Sequence, residues 1–229
     1  MPKAEITSHF LNDSFSTSAE NMAFDNTLLE RIQSNANSRF FRFYNWQQAG
    51  ITYSYNKTIP NNLKTIDNST RVSGGGLVFH CPGDIVFCMI APISDPIFPS
   101  RFKDKLCAIT RLISELIENS LSIQLEKNTA TYETNILFCN AYPNPYERYF
   151  NNEKVLAFAQ RRLKQFFLVQ GVIHCTATEK HFKNAEDYTQ YFTKGLGYNI
   201  NASILLNALK TKINNHCKTN TLLSTSQCL

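Results

Sequence analysis

The sequence is poor in glycine and proline, and it has no long apolar run. Glycine and proline number eight each in 229 residues, which excludes collagen-like and low-complexity chains. The longest apolar run, Ile85 to Ile93, is interrupted by Pro92 and is far shorter than the roughly 18 residues of a membrane-spanning helix. We therefore expect no membrane span. The 43% of apolar residues excludes intrinsic disorder and is enough for one large core.

The chain also lacks a strong charge and paired cysteines. Lys and Arg number 23 against 18 Asp and Glu, a net charge of +5. This small, dispersed excess suits an acidic partner and does not indicate nucleic acid. The cysteines are Cys81, Cys88, Cys107, Cys139, Cys175, Cys217 and Cys228. No pair has the CxxC spacing of a zinc or redox site, and residues 1–10 have no hydrophobic segment of a secretory signal, so we expect no metal, reduced thiols and a cytoplasmic location.

Helical and strand-like blocks alternate along the chain without a repeat or a linker. This order predicts one α+β domain, with a mixed or largely antiparallel central sheet packed by helices. Hydrophobic periodicity predicts helices over 19–33, 100–122, 185–193 and 202–215, the first capped by Ser18 and the second by Ser100. Strands are predicted over 40–44, 51–55, 77–79, 85–90, 136–138, 146–150, 155–158 and 166–173. The turn-forming residues 81–84 predict that 77–79 and 85–90 form a hairpin.

Three of the eight glycines are consecutive, in Arg71-Val72-Ser73-Gly74-Gly75-Gly76-Leu77-Val78-Phe79-His80. Consecutive glycines let a backbone turn tightly and approach a ligand closely. Their N–H groups could receive a carboxylate or phosphate, and Arg71 supplies a positive charge. A flexible hairpin turn explains the same pattern, so the residues alone leave both interpretations open. The segment is neither a P-loop nor a dinucleotide fingerprint, because no Lys-Ser/Thr follows and the flanks resemble strands.

The same segment resembles the signature of the lipoate–protein ligase A family, which has the biotin/lipoate ligase catalytic fold and includes octanoyltransferases. Other segments match that family in the same order: Asn21-Met22-Ala23 with Asp25, Arg42-Phe43-Tyr44-x-Trp46, Lys154 followed by Ala159-Gln160, and Gly171. The resemblance implies this catalytic domain over 18–217. It leaves a lead-in over 1–17, a frayed tail over 218–229, and no accessory C-terminal domain.

The resemblance also implies roles for individual residues. Lys154 would contact the acyl carbonyl or an acyl-adenylate, where an ammonium stabilises developing negative charge. Without the resemblance, Lys154 would be interpreted as a solvated turn lysine. The substrate-binding residues that the resemblance implies are Arg71, Ser73, Gly74, Gly75, Gly76, His80 and Ala159.

Cys139 distinguishes two branches of this family. It follows Ile136-Leu137-Phe138 and precedes a proline-rich loop that ends at Glu147, with Lys154 seven residues further on. This spacing resembles the octanoyltransferases that use a catalytic cysteine. In them a thiolate takes an octanoyl group from acyl carrier protein and passes it to a lysine of a lipoyl domain. A thiol is suited to that chemistry, although a purely structural cysteine stays open.

The leading hypothesis is therefore an octanoyl or lipoyl transferase without a tightly bound cofactor. Its partners would be acyl carrier protein and the lipoyl domain of a 2-oxoacid dehydrogenase or a glycine cleavage protein. The alternative is a lipoate ligase that uses ATP and Mg²⁺ and needs a separate accessory partner. A third hypothesis is a non-catalytic homologue that binds lipoyl domains. It is raised by Ala157 and Phe158, where the family prefers small residues, and by Gln170, where the family has histidine.

Overall fold

The computed structural model describes residues 5–127, 137–139, 146–219 and 223. Within these residues it has three α-helices: α1 (Ser18–Ser34), α2 (Phe102–Leu121) and α3 (Ala202–Thr219). Its strands are β1 (Thr7–Leu11), β2 (Ser38–Asn45), β3 (Gly50–Ser54), β4 (Asp67–Arg71), β5 (Val78–His80), β6 (Ile85–Pro92), β7 (Arg148–Phe150), β8 (Glu153–Arg162) and β9 (Phe166–Ile173). The predicted α+β class is confirmed. None of the described helices is long and apolar enough to cross a membrane.

The larger sheet has six strands in the order β1-β2-β6-β9-β8-β7. Only the β1–β2 pair among them is parallel, and the other four pairs are antiparallel. Side chains alternate between the faces of a strand, so successive residues of β2, β6 and β9 supply two cores. One core packs against α2 and α3, and the other packs against α1. Helices therefore cover both faces of the sheet, which explains why the sequences of its central strands are almost continuously apolar.

The smaller sheet has three strands in the order β4-β3-β5, with β3 parallel to β4 and antiparallel to β5. The prediction of a hairpin between 77–79 and 85–90 is wrong, because β5 and β6 belong to different sheets. The turn between them carries the chain from one sheet to the other. The buried Asp84 carboxylate stabilises this crossing by accepting the N–H groups of Cys81 at 3.0 Å and Cys175 at 2.8 Å.

Three details of the predicted elements differ in the structure. α1 is capped by Thr17, in a capping box with Glu20. The predicted cap at Ser100 is wrong, because α2 follows Arg101 and has no side-chain cap. The predicted helix over 185–193 is a 3-10 helix, Glu186–Tyr191. Shorter 3-10 helices occur at Asn61–Leu63 and Thr178–Lys180.

The ends of the predicted domain are described only in part. Ile136 of the predicted strand over 136–138 lies outside the described residues, as does most of the predicted tail over 218–229. Within that tail, Leu223 is buried and donates its N–H to the Ile97 carbonyl at 2.9 Å. The domain boundaries at 18 and 217 stay a prediction.

Candidate active site

An apolar cavity lies between the two sheets, next to α1. It holds about 450 Å³ of space not occupied by atoms, part of it open to solvent. The apolar lining includes Met22, Val78, Val86, Ala157 and Val172. Four predicted site residues also line the cavity, namely Arg71, His80, Cys139 and Ala159.

The glycine loop, residues 71–76, joins β4 to β5 at the rim of this cavity. Those strands are separated by β3, so the loop is not a hairpin turn. Gly75 has a φ of 93°, in the left-handed region that favours glycine. A Cβ on Gly76 would lie 2.1 Å from the Leu137 carbonyl oxygen, so the close approach of these two backbones requires glycine. Arg71 braces the loop, because its Nη2 donates to the carbonyls of Gly74 at 2.9 Å and Gly76 at 2.7 Å.

Cys139 lies against this loop with its side chain half-buried. Its Sγ accepts the Gly76 N–H at 3.0 Å and lies 3.8 Å from Arg71 Nη2. Two backbone hydrogen bonds hold it there: Leu77 N–H donates to Leu137 O at 2.7 Å, and Cys139 N–H donates to Leu77 O at 2.9 Å. Both of these groups are hydrogen-bond donors, a backbone N–H and a guanidinium, and they face the same sulfur.

Lys154 lies near the start of β8, and its side chain is only 3% exposed. The interpretation of a solvated turn lysine is therefore wrong. Its Nζ donates to the Cys139 carbonyl at 2.7 Å and lies 2.7 Å from Glu147 Oε2. The Lys154 carbonyl accepts the Thr193 hydroxyl at 2.8 Å. The buried ion pair of Lys154 and Glu147 thus contacts the backbone carbonyl of Cys139, the residue whose sulfur faces the glycine loop.

His80 lies deeper in the cavity wall and stacks on Trp46, with 4.3 Å between the ring centroids. Burial lowers the pKa of His80 well below its usual value, and nearby His174 and Arg71 add to the effect. Its Nε2 lies 2.8 Å from Thr52 Oγ1, which also accepts Arg71 Nη1 at 3.2 Å. Hydrogen bonds therefore connect this neutral imidazole, through Thr52, to the guanidinium that faces the Cys139 sulfur.

Residues 17–208 match the family described as the lipoyl protein ligase A/B catalytic domain. The chain belongs to this family. The resemblance that the motifs predicted is confirmed. An octanoyltransferase, LipM of Staphylococcus epidermidis, is 24% identical over 179 residues, which make up 72% of this chain and 64% of that relative. The chain therefore spans about 64% of the length of the relative it matches.

Solved structures of lipoate ligases share the fold. The bi-partite lipoate protein ligase of Thermoplasma acidophilum, studied with its E2 lipoyl domain, has a TM-score of 0.63 at 14% identity, over 95% of this chain and 84% of that chain. A lipoate-protein ligase A bound with ATP has a TM-score of 0.61 at 15% identity, over 95% of this chain and 86% of that chain. The predicted catalytic-domain fold of the lipoyl ligase family is thus confirmed.

Gln170, where the resemblance predicts histidine, lies in the cavity wall with a hydrogen bond at each end of its amide. Its Nε2 donates to Asp25 Oδ2 at 2.6 Å, and its Oε1 accepts the Ser73 N–H at 3.4 Å. Ser73 is therefore a buried residue at the base of the glycine loop, bonded through its backbone. Asp25 in turn accepts Arg42 Nη1 at 2.7 Å, and both of those side chains are fully buried. Burial raises the pKa of Asp25, and the charge of Arg42 opposes the effect.

The other two departures have different positions. Alternation along β8 places Ala157 and Ala159 on the cavity side, opposite Val172 and Gln170 of β9. Phe158 borders the cavity, but its ring packs into the core on the other face of the sheet. It lies opposite Gly171, where a Cβ would come within 2.2 Å of the Phe87 Cζ and 2.8 Å of the Phe158 Cβ. The glycine at 171 therefore leaves room for the Phe87 ring, and the Phe158 ring packs in the core instead of filling the cavity.

The remaining described cysteines lack the surroundings of Cys139. Burial raises the pKa of the Cys175 thiol to about 12, and burial also raises the pKa values of Cys81 and Cys88. Cys217 is exposed on α3, and its Sγ accepts Arg39 Nη2 at 2.7 Å. No three His, Cys, Asp or Glu residues converge on a metal site in the part of the chain that the structure describes.

Sequence reasoning missed three contributors to this site: Glu147, Thr52 and the bond from Gln170 to Asp25. Glu147 had a signal, because its spacing from Cys139 and Lys154 belongs to the family pattern. Thr52 is an ordinary strand residue that meets Arg71 and His80 only after the small sheet forms. Nothing local in the sequence distinguishes it.

Proposed function

We propose that this chain is an acyltransferase of protein lipoylation, which moves an octanoyl or lipoyl group onto a lysine of a lipoyl domain through a thioester on Cys139. The observation that carries the proposal is the contact of the Cys139 sulfur with the Gly76 N–H at 3.0 Å, at the lining of an apolar cavity. An aliphatic acyl chain fits an apolar cavity, and its carbonyl carbon is the atom that a thiolate attacks. The octanoyltransferase name of the curated relative supports the same activity.

In the first half of the reaction, the Cys139 thiolate attacks the thioester carbonyl of an acylated carrier protein. A new carbon–sulfur bond forms to Cys139, and the carbon–sulfur bond to the carrier breaks. The carrier leaves as a thiolate, which takes a proton from solvent. The Gly76 N–H and the Arg71 guanidinium stabilise the Cys139 sulfur anion before attack. Arg71 stays positioned throughout because two loop carbonyls also bind it.

In the second half, the neutral amine of the acceptor lysine attacks the Cys139 thioester. The amide bond forms, the carbon–sulfur bond to Cys139 breaks, and the amine loses one proton to solvent. The sulfur leaves as the same anion that the glycine loop stabilised at the start. The buried Lys154 ammonium donates to the Cys139 carbonyl at 2.7 Å and is paired with Glu147, so it holds the Cys139 backbone in place in both halves.

The acceptor in this proposal is a lipoyl domain, and the transferase needs no cofactor. The Thermoplasma acidophilum neighbour, which was studied with an E2 lipoyl domain, supports that class of partner. The neighbour bound with ATP represents the competing ligase reaction, in which lipoate would be activated with ATP and Mg²⁺. The site residues of both reactions overlap, and only the transferase requires the Cys139 thiol.

Intact-mass spectrometry with octanoyl acyl carrier protein tests the proposal. We expect an acyl adduct on the unmodified chain and on Cys217→Ala, which removes an exposed thiol outside the cavity. We expect no adduct on Cys139→Ala. An adduct that survives Cys139→Ala, or no adduct on any form, refutes the thioester. Lipoate-dependent ATP–pyrophosphate exchange in that case indicates a ligase, and lipoyl-domain binding without turnover indicates a non-catalytic homologue.

A further inference from the structure

Gln170 connects two parts of the molecule that are distant in sequence. On one side it bonds to Asp25 of α1, which is ion-paired with Arg42 of β2. On the other side it bonds to the Ser73 N–H at the base of the glycine loop. All these side chains are buried, so water does not replace a lost partner and each lost bond leaves a polar group unsatisfied.

The orientation of the Gln170 amide follows from its partners. The Arg42 guanidinium is always protonated, and a buried guanidinium with Asp25 at 2.7 Å requires an ionised carboxylate there. An ionised carboxylate only accepts hydrogen bonds, so the NH₂ group of Gln170 must face Asp25. Its carbonyl oxygen then faces the loop, where the Ser73 N–H donates. The ion pair under α1 therefore determines which atom of Gln170 the loop meets.

The glycine loop connects Gln170 to the Cys139 sulfur. Ser73 lies three residues before Gly76, and the Arg71 guanidinium binds the carbonyls of both Gly74 and Gly76. Gly76 is held on the other side, because a Cβ there would lie 2.1 Å from the Leu137 carbonyl oxygen and the two backbones are in close contact. Residues 73–76 are therefore supported by Gln170 at one end and by the Leu137 backbone at the other, and loss of the Gln170 support lets the loop that carries the Gly76 N–H relax relative to the Cys139 sulfur.

We propose that Gln170 is a positioning residue, which holds the glycine loop at the place where the Gly76 N–H reaches the Cys139 sulfur, by linking that loop to the Asp25–Arg42 ion pair. The proposal rests on the proposed function only in taking Cys139 as the reactive group. It assigns a role to a side chain at which this chain departs from its family. An amide suits that role because it offers a donor and an acceptor at every pH.

The matched test replaces the amide by a carboxyl of the same shape, in Gln170→Glu, and by an apolar side chain, in Gln170→Leu. Each variant is treated with iodoacetamide, and alkylation is read at Cys139 relative to Cys217 of the same molecule. The exposed Cys217 thus serves as an internal reference for reagent and pH. We expect Gln170→Leu to lower the Cys139 to Cys217 ratio about tenfold, because the Ser73 N–H loses its acceptor.

The Gln170→Glu variant supplies a readout that a purely structural role does not predict. When protonated, the introduced carboxyl donates to Asp25 and accepts from Ser73, as the amide does. When ionised, it lies against the Asp25 carboxylate, and two carboxylates at such a distance repel. The other titratable or charged groups near this pair are Arg42 and Tyr44 on β2, Cys88 on β6, Arg71 on β4 and His80 on β5. We expect the alkylation ratio, relative to the unmodified chain, to fall as the pH rises from about 6 to about 9.

The conservative variant Gln170→His keeps one donor and one acceptor, and we expect it to restore most of the ratio that Gln170→Leu loses. Circular dichroism and the thermal midpoint of each variant establish that it is folded. The proposal is overturned if the folded Gln170→Leu and Gln170→Glu variants keep the ratio of the unmodified chain at every pH. Alkylation uses no acyl donor, so a dependence on Gln170 without an acyl thioester contradicts the proposed function and leaves this inference in place.

Discussion

Gly76→Ala perturbs the contact on which the arrangement of Cys139 depends. The new Cβ would lie 2.1 Å from the Leu137 carbonyl oxygen and 2.8 Å from the Leu137 carbonyl carbon. Both neighbours are backbone, so the two segments must separate by about 1.3 Å to reach an ordinary contact distance. That movement strains the bonds from Leu77 N–H to Leu137 O and from Cys139 N–H to Leu77 O.

The expected cost follows from these contacts. Overpacking against backbone costs about 1–3 kcal/mol, and each weakened hydrogen bond adds up to about 1 kcal/mol, so we expect Gly76→Ala to lower the free energy of unfolding by about 3 kcal/mol. Gly74→Ala is the matched control. Its Cβ would meet its nearest neighbour, the Gln160 carbonyl oxygen, at 3.7 Å, and its φ is not positive, so we expect a change within about 1 kcal/mol.

Urea unfolding measures both variants, and iodoacetamide alkylation reports on the sulfur. We expect Gly76→Ala to slow alkylation of Cys139, because the Gly76 N–H moves away from a sulfur that it contacts at 3.0 Å. Equal stability and equal alkylation for Gly74→Ala and Gly76→Ala would refute the reasoning, since the two substitutions add the same methyl group to the same loop.

Two further predictions concern buried ionisable groups. Lys154→Met removes the cation of a buried ion pair with the Glu147 carboxylate, which is nearly as buried as the lysine, and should cost about 3–5 kcal/mol in urea unfolding. Adding Glu147→Gln should recover most of this loss, and a double variant no more stable than Lys154→Met contradicts the coupling. Folding lowers the pKa of His80, so below about pH 6.5 the unfolded chain binds a proton that the folded chain does not. The free energy of unfolding therefore decreases as the pH is lowered, by up to about 1.4 kcal/mol per pH unit. Urea midpoints between about pH 7.5 and about pH 5 should fall less steeply for His80→Gln, and an unchanged slope would count against this assignment.

Elements with a strong apolar pattern could be predicted from the sequence. The periodic residues of α2 and the β-branched and aromatic residues of β9 determine those elements locally, and both appear near their predicted bounds. β4 was missed because Asp67–Arg71 is polar throughout and forms a strand only by pairing with β3. The hairpin predicted around 81–84 was wrong for the same reason, because the local sequence does not determine which strands pair. Turn residues indicate a change of direction, but they do not indicate the sheet in which the next strand pairs.

The same distinction between local and long-range information applies to the site residues. The glycine loop, Lys154 and Cys139 were predicted because family motifs are local in sequence. Gln170 was predicted as a departure, but its bond to Asp25 spans 145 residues and depends on α1 and β9 packing together. Phe158 was singled out only because the family prefers a small residue there. Strand alternation from Ala157 and Ala159 places its ring on the opposite face of the sheet, where it packs against the core.

The two chain crossings between the sheets, residues 46–49 and 81–84, are bonded to each other. Trp46 N–H donates to Asp84 O at 2.7 Å, and Gly83 N–H donates to Trp46 O at 2.9 Å. At the glycine loop the sheets are joined by longer bonds, from Gly74 N–H to Gln160 O and from Arg161 to Val72 O, each at 3.3 Å. The hydrogen bonds at the two crossings are therefore shorter than those that join the sheets at the glycine loop. If the sheets separate, we expect the bonds at the glycine loop to break first, which would open the cavity beside the Cys139 thiol.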